Sequence, residues 1–388
     1  MTPDFDARYD AHYDVLIVGG GPVGAAAALA LRGTGLRLGL IEVRAPRSAS
    51  ADPRPIALSH GSRLILERFG AWGALNSTPI ERIHISQRGG FGRVELNARE
   101  ARLPALGYVV DYGQLADALA RALNDEDGCR LINARVNRIE AGAEAASAMT
   151  DDESTRMTAR LLAVADGGSL TAASTRTRDY RQTVVTTRVA CAIPHSNVAY
   201  ERFTPRGPLA LLPMGEEMAL VWTTSAEHAQ LLCELGEPAF LGELQGAFGN
   251  RLGRFSRAGM RASYPVALKM ADRLTDSRVV ALGNAAQTLH PVAGQGLNLG
   301  LRDAWELATT LRDCKPAEIG TPLHLARYNA RRRLDRRGGI TFTDSLVRLF
   351  SNDIAPLRIA RGLGLAALGA AAPAKDFLIR RMTFGTRG

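Results

Sequence analysis

The segment Asp14-Val-Leu-Ile-Val-Gly-Gly-Gly-Pro-Val-Gly24 decides the fold of this chain. Its apolar first half predicts a short buried strand of a parallel sheet. Gly19, Gly21 and Gly24 follow with the spacing GxGxxG, and the alanine-rich residues 25–32 predict a helix. Glycines in this spacing allow a tight turn, close approach of the backbone to a pyrophosphate, and close packing of the helix on the strand. The segment therefore predicts the start of a nucleotide-binding domain.

A second predicted strand, residues 36–41, ends in the carboxylate of Glu42, 18 residues after Gly24. A carboxylate at this point can accept hydrogen bonds from both hydroxyls of a ribose. Strand, glycine turn, helix, strand and acid make a βαβ unit of about thirty residues, the size expected for dinucleotide binding. This unit alone leaves open whether the nucleotide is FAD or NAD.

A second glycine-rich segment lies in the C-terminal third: Ala281-Leu-Gly-Asn-Ala-Ala-Gln-Thr-Leu-His290-Pro-Val-Ala-Gly-Gln-Gly-Leu-Asn-Leu-Gly300. Residues 279–282 predict a buried strand, and an apolar stripe predicts a helix from Gly296 onward. Between the two glycine-rich segments, residues 57–69 predict a helix capped by Ser59, since serine is a favoured N-cap residue. Residues 180–270 are rich in predicted strands, with a helical stretch over 226–248.

The predicted fold class is α/β: a Rossmann-like FAD-binding domain with an inserted strand-rich substrate domain and a basic helical C-terminal tail. The predicted boundaries are 12–76, 100–175 and 274–335 for the discontinuous FAD-binding domain, 77–99 and 176–273 for the substrate domain, and 336–388 for the helical region.

The chain resembles the flavin hydroxylases of ubiquinone biosynthesis, a branch of the class A FAD monooxygenases related to p-hydroxybenzoate hydroxylase. The resemblance runs over nearly the whole chain and is carried by residues 52–59, 83–92, 165–167, 207–213, 281–303, 343–350 and 355–357. The broad family has Gly-Asp followed by Ala-Ala-His where this chain has Gly283-Asn284 and then Gln287. The sequence Asn284-Ala-Ala-Gln287 resembles that of the branch that hydroxylates 2-polyprenyl-6-methoxyphenol.

The resemblance implies FAD as cofactor, NAD(P)H as electron donor and O2 as co-substrate, with hydroxylation through a flavin C4a-hydroperoxide. The implied FAD-binding residues are Gly19, Gly21, Gly24, Glu42, Arg54, Gln114, Asp166, Gly283, Asn284, Pro291, Gly294, Gln295, Gly296 and Asn298. In the 291–296 loop, glycines let the main chain approach a flat ring, and the helix N-terminus favours the negative charge of reduced flavin. Gln114 has an alternative role, since Asp111 three residues earlier suggests a helix cap.

No catalytic residue is identified; the candidates are His290, Pro291 and Arg54. His290 has a structural alternative, and Arg54 has the alternative of a solvated arginine. Pro213 and Trp222 are candidate substrate contacts, although a core position suits Trp222 better. Two other functions stay open: a flavin hydroxylase of a small soluble aromatic, and an FAD-poor scaffold subunit of a ubiquinone-synthesis complex, which Asn284 keeps open.

The net charge of +9 is concentrated in residues 327–388, which hold 13 of the 48 Lys and Arg and 4 of the 39 Asp and Glu. The two interpretations are a solvated helix face and an anchor for anionic lipid or an acidic partner, such as another ubiquinone-synthesis protein. Few aromatic residues and no recognisable motif argue against nucleic acid. Scattered cysteines predict no metal site and a reduced, cytoplasmic protein. The resemblance implies a polyprenyl phenol substrate that resides in the membrane, and therefore a peripheral location on the inner membrane.

Overall fold

The computed structural model describes residues 11–43, 52, 54–123, 128–151, 155–350 and 354–387. Residues 1–10, where the sequence predicts no secretory signal, lie outside the described residues, as does Pro53 of the 52–59 segment.

The helices follow the predicted α/β pattern. They are α1 (Pro22–Ala30), α2 (His60–Arg68), α3 (Tyr112–Ala122), α4 (Ala226–Glu234), α5 (Glu237–Phe248), α6 (Gln295–Arg312), α7 (Pro322–Phe350), α8 (Ala355–Ala370) and α9 (Ala372–Phe384). The strands of the first half are β1 (Ala11–Val18), β2 (Leu38–Glu42), β3 (Pro55–Ser59), β4 (Thr78–Ile80), β5 (Arg82–Gln87), β6 (Arg93–Asn97), β7 (Gly107–Asp111), β8 (Cys129–Asn133), β9 (Val136–Glu140), β10 (Ala146–Thr150) and β11 (Arg156–Val164). Those of the second half are β12 (Thr175–Cys191), β13 (Val198–Thr204), β14 (Gly207–Met214), β15 (Glu217–Thr224), β16 (Phe255–Ala258), β17 (Ala262–Ala271), β18 (Thr275–Asp276), β19 (Val279–Ala281) and β20 (Gln287–Thr288).

The first sheet has the order β18-β19-β11-β1-β2-β8, and β1 pairs in parallel with both β2 and β11. Its central strands are apolar on both faces, because helices cover one face and the β9–β10 ribbon packs near the other. Alanines of α1 are buried against β1, as their small side chains allow. This sheet brings the ends of β1, β11 and β19 side by side, so the two glycine-rich segments meet at one edge.

The second sheet has the order β20-β17-β12-β15-β14-β13-β5-β6. Helices α4 and α5, which occupy the stretch predicted to be helical, cover one face of it with a compact apolar core. The other face looks toward the nucleotide domain. The predicted domain boundaries stay a prediction, because strand pairing does not show which parts would fold independently.

The predicted helix over 57–69 is wrong at its start. Residues 55–59 form β3, which pairs with β7, and the helix begins only at His60. The predicted cap is confirmed, because the Ser59 hydroxyl accepts a hydrogen bond from the backbone N–H of Ser62. Tertiary pairing of β3 thus overrides the local helical pattern of its sequence.

The tail packs on both domains. Helix α7 runs under α6, α8 packs against β6, and α9 packs against α2. A Cβ at Gly92 would stand 2.1 Å from the carbonyl oxygen of Gly362, and one at Gly61 would stand 2.5 Å from that of Thr383. The glycines therefore let α8 and α9 lie directly on the neighbouring backbone.

Candidate active site

The glycine turn holds β1 and α1 at a separation that larger residues would prevent. Gly19 has φ +100°, and a Cβ there would lie 2.5 Å from the carbonyl oxygen of Ala165. A Cβ at Gly24 would lie 1.8 Å from the carbonyl oxygen of Gly19. At Gly21, the N-cap of α1, a Cβ would meet no protein atom within 4 Å. Gly19 and Gly24 thus shape the turn, while Gly21 leaves the N-terminus of α1 open to a ligand.

Glu42 lies at the end of β2, beside this turn. Its exposed carboxylate accepts a hydrogen bond from the backbone N–H of Gly20. The carboxylate is therefore fixed next to the open helix N-terminus, at the place where a ribose follows the pyrophosphate in this fold.

Asp166 shapes the neighbouring turn after β11. Its carboxylate accepts hydrogen bonds from the backbone N–H groups of Gly168 and Leu170, at 2.9 and 2.7 Å, and from the Ser169 hydroxyl. The side chain predicted to bind cofactor therefore has a structural task in this segment.

The loop over residues 291–296 is held in place by Asn298. The Asn298 amide donates to the carbonyl oxygens of Ala57 and Gly294, at 3.0 and 2.7 Å. Its oxygen accepts from the backbone N–H of Ser59 and the Ser62 hydroxyl, at 2.8 and 2.7 Å. Protein groups thus occupy both donor and both acceptor positions of this predicted FAD-binding side chain, which positions the loop.

The loop itself presents backbone to the site. Gly294 adopts φ +58°, and its Cα faces Ala57, whose Cβ would be 3.1 Å from an added Cβ. Gln295 is buried, whereas an added Cβ on Gly296 would meet no atom within 4 Å. The open side at Gly296 lies at the N-terminus of α6, where the helix dipole favours negative charge.

His290 supports the loop from below. Its Nδ1 accepts the backbone N–H of Val292 at 3.1 Å, so the proton of the neutral ring lies on Nε2, which contacts Oε1 of Gln182 at 3.1 Å. Burial lowers the pKa of His290 to about 4. Both ring nitrogens are engaged in hydrogen bonds, which favours a structural role for His290 over a catalytic one. Pro291 is the first residue of the loop that His290 holds in place.

A buried ion network lies beneath Gly283, a feature that the sequence reasoning missed. The backbone N–H of Gly283 and the amide of Gln287 both donate to Asp303, at 3.1 and 2.9 Å. Asp303 pairs with Arg332 at 2.6 Å, and Arg332 pairs with Asp335 at 2.7 Å. Gln287 therefore fills the position of the family histidine with an amide that ties the loop after β19 to α6 and α7.

Arg336 of the tail completes this network by donating to the side-chain amide oxygen of Gln287 at 2.8 Å. The interpretation of the basic tail as a solvated face is therefore wrong for Arg332 and Arg336, which are structural cations.

Asn284 is exposed at the rim of the site and lines the cavity described below. Arg54 reaches the same cavity, where it pairs with Asp52 at 2.6 Å and lies over the Tyr112 ring at 4.8 Å. The hydrogen bond that the Arg54 guanidinium donates to the Asp52 carboxylate raises the pKa of Arg54 above its ordinary value. Gln114 donates to the Asp111 carboxylate at 3.2 Å; Asp111 is the N-cap of α3, but its side chain makes no capping hydrogen bond.

A cavity of about 1010 Å³ connects the loop to the tail. One end is lined by the loop residues and by Ala57, and the side wall is the open face of the second sheet. The far end is built by the tail and is apolar apart from Arg361; its lining includes Phe342, Leu346, Phe350, Leu365, Leu368 and Leu378. Its volume reaches the upper limit of ordinary ligand pockets, about 1,000 Å³.

The two predicted substrate contacts lie on the other face of the sheet. Trp222 is 2% exposed and belongs to the core under α4 and α5. Pro213 shares its face of β14 with Leu209 and Leu211 of that core, because alternate residues of a strand face the same side. Neither lines the cavity, so the prediction of substrate contact is corrected for both.

Glu201 is the acidic residue that the sequence reasoning missed. It lies in the middle of β13 and lines the cavity among apolar neighbours. Burial raises its pKa to about 7. A lone acid between Ala199 and Phe203 on one alternating face of a strand was the available sequence signal.

These residues fit a flavin dinucleotide. Two helix N-termini, those of α1 and α6, present glycines whose added Cβ atoms would meet no protein atom, and Glu42 stands at the ribose position.

Among the described residues, no group of three His, Cys, Asp or Glu could hold a metal ion. No single helix in the described ranges is long and apolar enough to cross a membrane, although α8 and α9 reach that length and composition together, bent by 94°.

Known proteins agree with this geometry. A family described as FAD binding domain matches residues 12–337. Ubiquinone hydroxylase UbiL of Rhodospirillum rubrum is 36% identical over 381 residues, which cover 95% of this chain and 88% of that protein. The 3-demethoxyubiquinol 3-hydroxylase of Escherichia coli (strain K12) is 30% identical, over 91% of this chain and 94% of that one. A variant of Klebsiella pneumoniae HpxO complexed with FAD shares the fold, with TM-score 0.75 at 17% identity over 97% of this chain and all, 100%, of that one.

Proposed function

The chain belongs to the FAD-binding domain family, and on that premise we propose that it hydroxylates a polyprenylated methoxyphenol in ubiquinone biosynthesis. The chain is an FAD-dependent aromatic hydroxylase by family and by its ubiquinone-hydroxylase relatives. The identity of the substrate is the part that we propose.

The observation that carries the proposal is the shape of the cavity. It begins at the 291–296 loop and ends among apolar side chains of α7, α8 and α9. The flavin ring and a phenol ring would together occupy the first part of this space, whereas a prenyl chain would fill the second and bury apolar surface there. The apolar far end therefore favours a prenylated phenol over a small soluble aromatic.

FAD would be held by the glycine turn, by Glu42 and by the backbone of the 291–296 loop. Bound FAD supplies the redox chemistry, in which NAD(P)H is the electron donor and one oxygen atom of O2 enters the aromatic ring. The protein's own residues bind the phenol, orient its ring toward the loop and keep water away from it.

The test compares two phenols on the purified, FAD-loaded protein. A geranylated methoxyphenol and the same phenol without the prenyl chain are supplied in detergent with NADPH or NADH, and products are measured by mass spectrometry. We expect hydroxylation of the geranylated phenol with the lower KM. Equal turnover of the two would favour the small-aromatic alternative, and a protein unable to take up FAD would favour the scaffold alternative.

A charge placed on the apolar wall sharpens this test. Leu368→Glu puts a carboxylate beside the prenyl chain, so we expect kcat/KM for the geranylated phenol to fall by about tenfold or more. The unprenylated phenol should be affected little. Leu323→Glu, on an exposed position of α7, is the matched control. Equal losses for both phenols would mean that the wall does not contact the chain.

A further inference from the structure

The side chain of Glu201 points into the cavity. The neighbouring Tyr200 ring packs edge-on against Phe248 at 5.5 Å, and the Arg202 guanidinium contacts the carbonyl oxygen of Ala247 at 3.3 Å. Both neighbours therefore face the α5 layer. Because successive side chains of a strand point to opposite faces, Glu201 faces the other side, where the cavity lies.

Along the strand, Glu201 lies between the two ends of this cavity. Ala199, two residues before it on the same face, belongs to the cluster that includes Ala57 beside the 291–296 loop. Phe203, two residues after it, stacks on Phe350 of α7 with ring centroids 3.9 Å apart. Residues two apart on a strand are separated by about 7 Å. A phenol bound with its ring toward the loop and its chain toward α7 would place its hydroxyl beside Glu201.

No described residue makes a side-chain hydrogen bond or an ion pair with the Glu201 carboxyl. Its neighbours across the sheet are apolar: Ala210 of β14 on one side and Ile85 of β5 on the other. A carboxyl without a partner in an apolar cavity is expensive to keep unless it serves the ligand. Apart from Tyr200, whose ring faces α5, the other titratable residues that line the cavity are Arg54, Asp179, Tyr264, Lys269, His290 and Arg361.

From this placement we propose that Glu201 is the catalytic base that accepts the proton of the substrate's phenolic hydroxyl, an inference that rests on the proposed function. The O–H bond breaks, its electron pair stays on the phenol oxygen, and the proton forms a new O–H bond on Glu201. The phenolate raises the electron density of the ring carbon, which then bonds to the oxygen atom delivered from O2. That carbon loses its hydrogen as a proton to restore aromaticity, and this proton goes to the second oxygen atom of O2, which leaves as water with the two electrons that NAD(P)H supplies. Glu201 returns its own proton to the phenol oxygen.

The pH dependence of the reaction rate follows from this role. A pKa near 7 lets Glu201 act as a base at neutral pH and disables it below that value. We therefore expect the wild-type rate to fall as the pH drops through about 7.

The test compares wild type, Glu201→Gln and the control Glu95→Gln, which changes an exposed carboxyl on β6 of the same sheet. The FAD-loaded proteins are assayed with the geranylated methoxyphenol and its unprenylated form from pH 6 to 9. We expect Glu201→Gln to lower kcat by about 100-fold or more at neutral pH, the usual loss of a general base. The fall in rate below pH 7 should be absent from the pH–rate profile of Glu201→Gln. Its rate should instead increase as the pH approaches the pKa of the free phenol, about 10.

Flavin reduction by NAD(P)H is measured in the same samples and should change little in Glu201→Gln, since the proton transfer follows it. A ring-fluorinated version of the phenol, which ionises at lower pH, should reduce the difference in kcat between wild type and Glu201→Gln. A Glu201→Gln enzyme within threefold of wild type, with the same acidic limb, would overturn the assignment. If wild type turns over only the unprenylated phenol, the proposed substrate fails, and the same loss in Glu201→Gln on that phenol still supports the base.

Discussion

At the scale of the residue, Glu201 combines an ionisable carboxyl group with a position on an apolar cavity wall, two properties that normally oppose each other. Its folded-state pKa, about 7, lies above the ordinary value of 4.5. The folded protein therefore holds this proton more tightly than the unfolded chain does, and stability is lost as the pH rises from about 4.5 through 7. A side chain that costs stability at the working pH and lines the site is the kind that function retains.

Glu201→Gln removes this cost, because glutamine resembles the neutral carboxyl in shape. We expect the variant to gain up to about 3 kcal/mol of unfolding free energy at pH 8 and almost nothing near pH 4.5. Chemical denaturation of the FAD-free proteins at the two pH values measures the difference. A variant that is less stable at pH 8 would show that the carboxyl has a structural partner after all.

Several residue roles could not be read from the chain because they depend on distant partners. Asp303, Arg332 and Asp335 lie within one buried cluster but come from two helices, and only folding shows that they neutralise one another. Burial alone would raise the pKa of Asp335, yet the guanidiniums of Arg302 and Arg332 hold it below its ordinary value. The pattern of the basic run does not indicate which of its arginines are buried.

At the scale of the element, different glycines of the turn have different tasks: Gly24 allows close packing of the turn on α1, and Gly21 leaves the N-terminus of α1 open. Gly24→Ala places a Cβ on the carbonyl oxygen of Gly19, so the turn and α1 must move apart. Gly21→Ala meets no protein atom, and φ there, −61°, suits any residue. The added methyl would instead occupy the open end of α1 that faces the pyrophosphate.

We therefore expect Gly21→Ala to keep the melting temperature of the FAD-free protein and to weaken FAD binding by about tenfold or more. Gly24→Ala should lower both the melting temperature and the affinity, since about 1–3 kcal/mol is typical of overpacking at a close contact. Thermal melts and flavin fluorescence titrations separate the two effects. If Gly21→Ala binds FAD as tightly as wild type, the pyrophosphate does not approach this position.

Elements were predictable where local sequence and tertiary structure agree. The βαβ unit follows from its own glycines, and the fold class and the family resemblance are both confirmed by the matching family and relatives. Residues 57–59 were misjudged as helix because β3 forms through pairing with β7, a contact between segments about 50 residues apart in the chain. Pro213 was misplaced for a related reason: alternation identifies the two faces of β14 but not which face borders the cavity.

At the scale of the whole molecule, the C-terminal tail belongs to the folded protein. Arg336 bonds the loop after β19, α8 lies on β6, and α9 lies on α2. Deleting the chain from residue 336 would therefore remove the support of the site along with any membrane contact. A test of membrane binding must leave the tail in place and change only its outer surface.

That outer surface carries apolar side chains on the same helix that lines the cavity. Ile359 and Leu363 of α8 are 55% and 59% exposed, and their i, i+4 spacing places them side by side. A prenylated phenol resides in the bilayer, so we propose that this face of α8 contacts the membrane near the far end of the cavity. The basic excess of residues 327–388 would add attraction to anionic lipid.

Replacing both side chains, Ile359→Glu with Leu363→Glu, should therefore reduce binding to phosphatidylglycerol-containing vesicles by about tenfold or more, because each buried aliphatic side chain contributes about 1.5–3 kcal/mol. Met260→Glu, at a 93% exposed position between β16 and β17, is the control and should bind as wild type does. Vesicle flotation at low and high salt separates the two contributions, since salt screens only the electrostatic one. Turnover of the geranylated phenol in detergent should be kept by both variants. Unchanged flotation of the double variant would place the route to the cavity elsewhere, whereas loss confined to vesicles would mean that α8 delivers the substrate from the membrane.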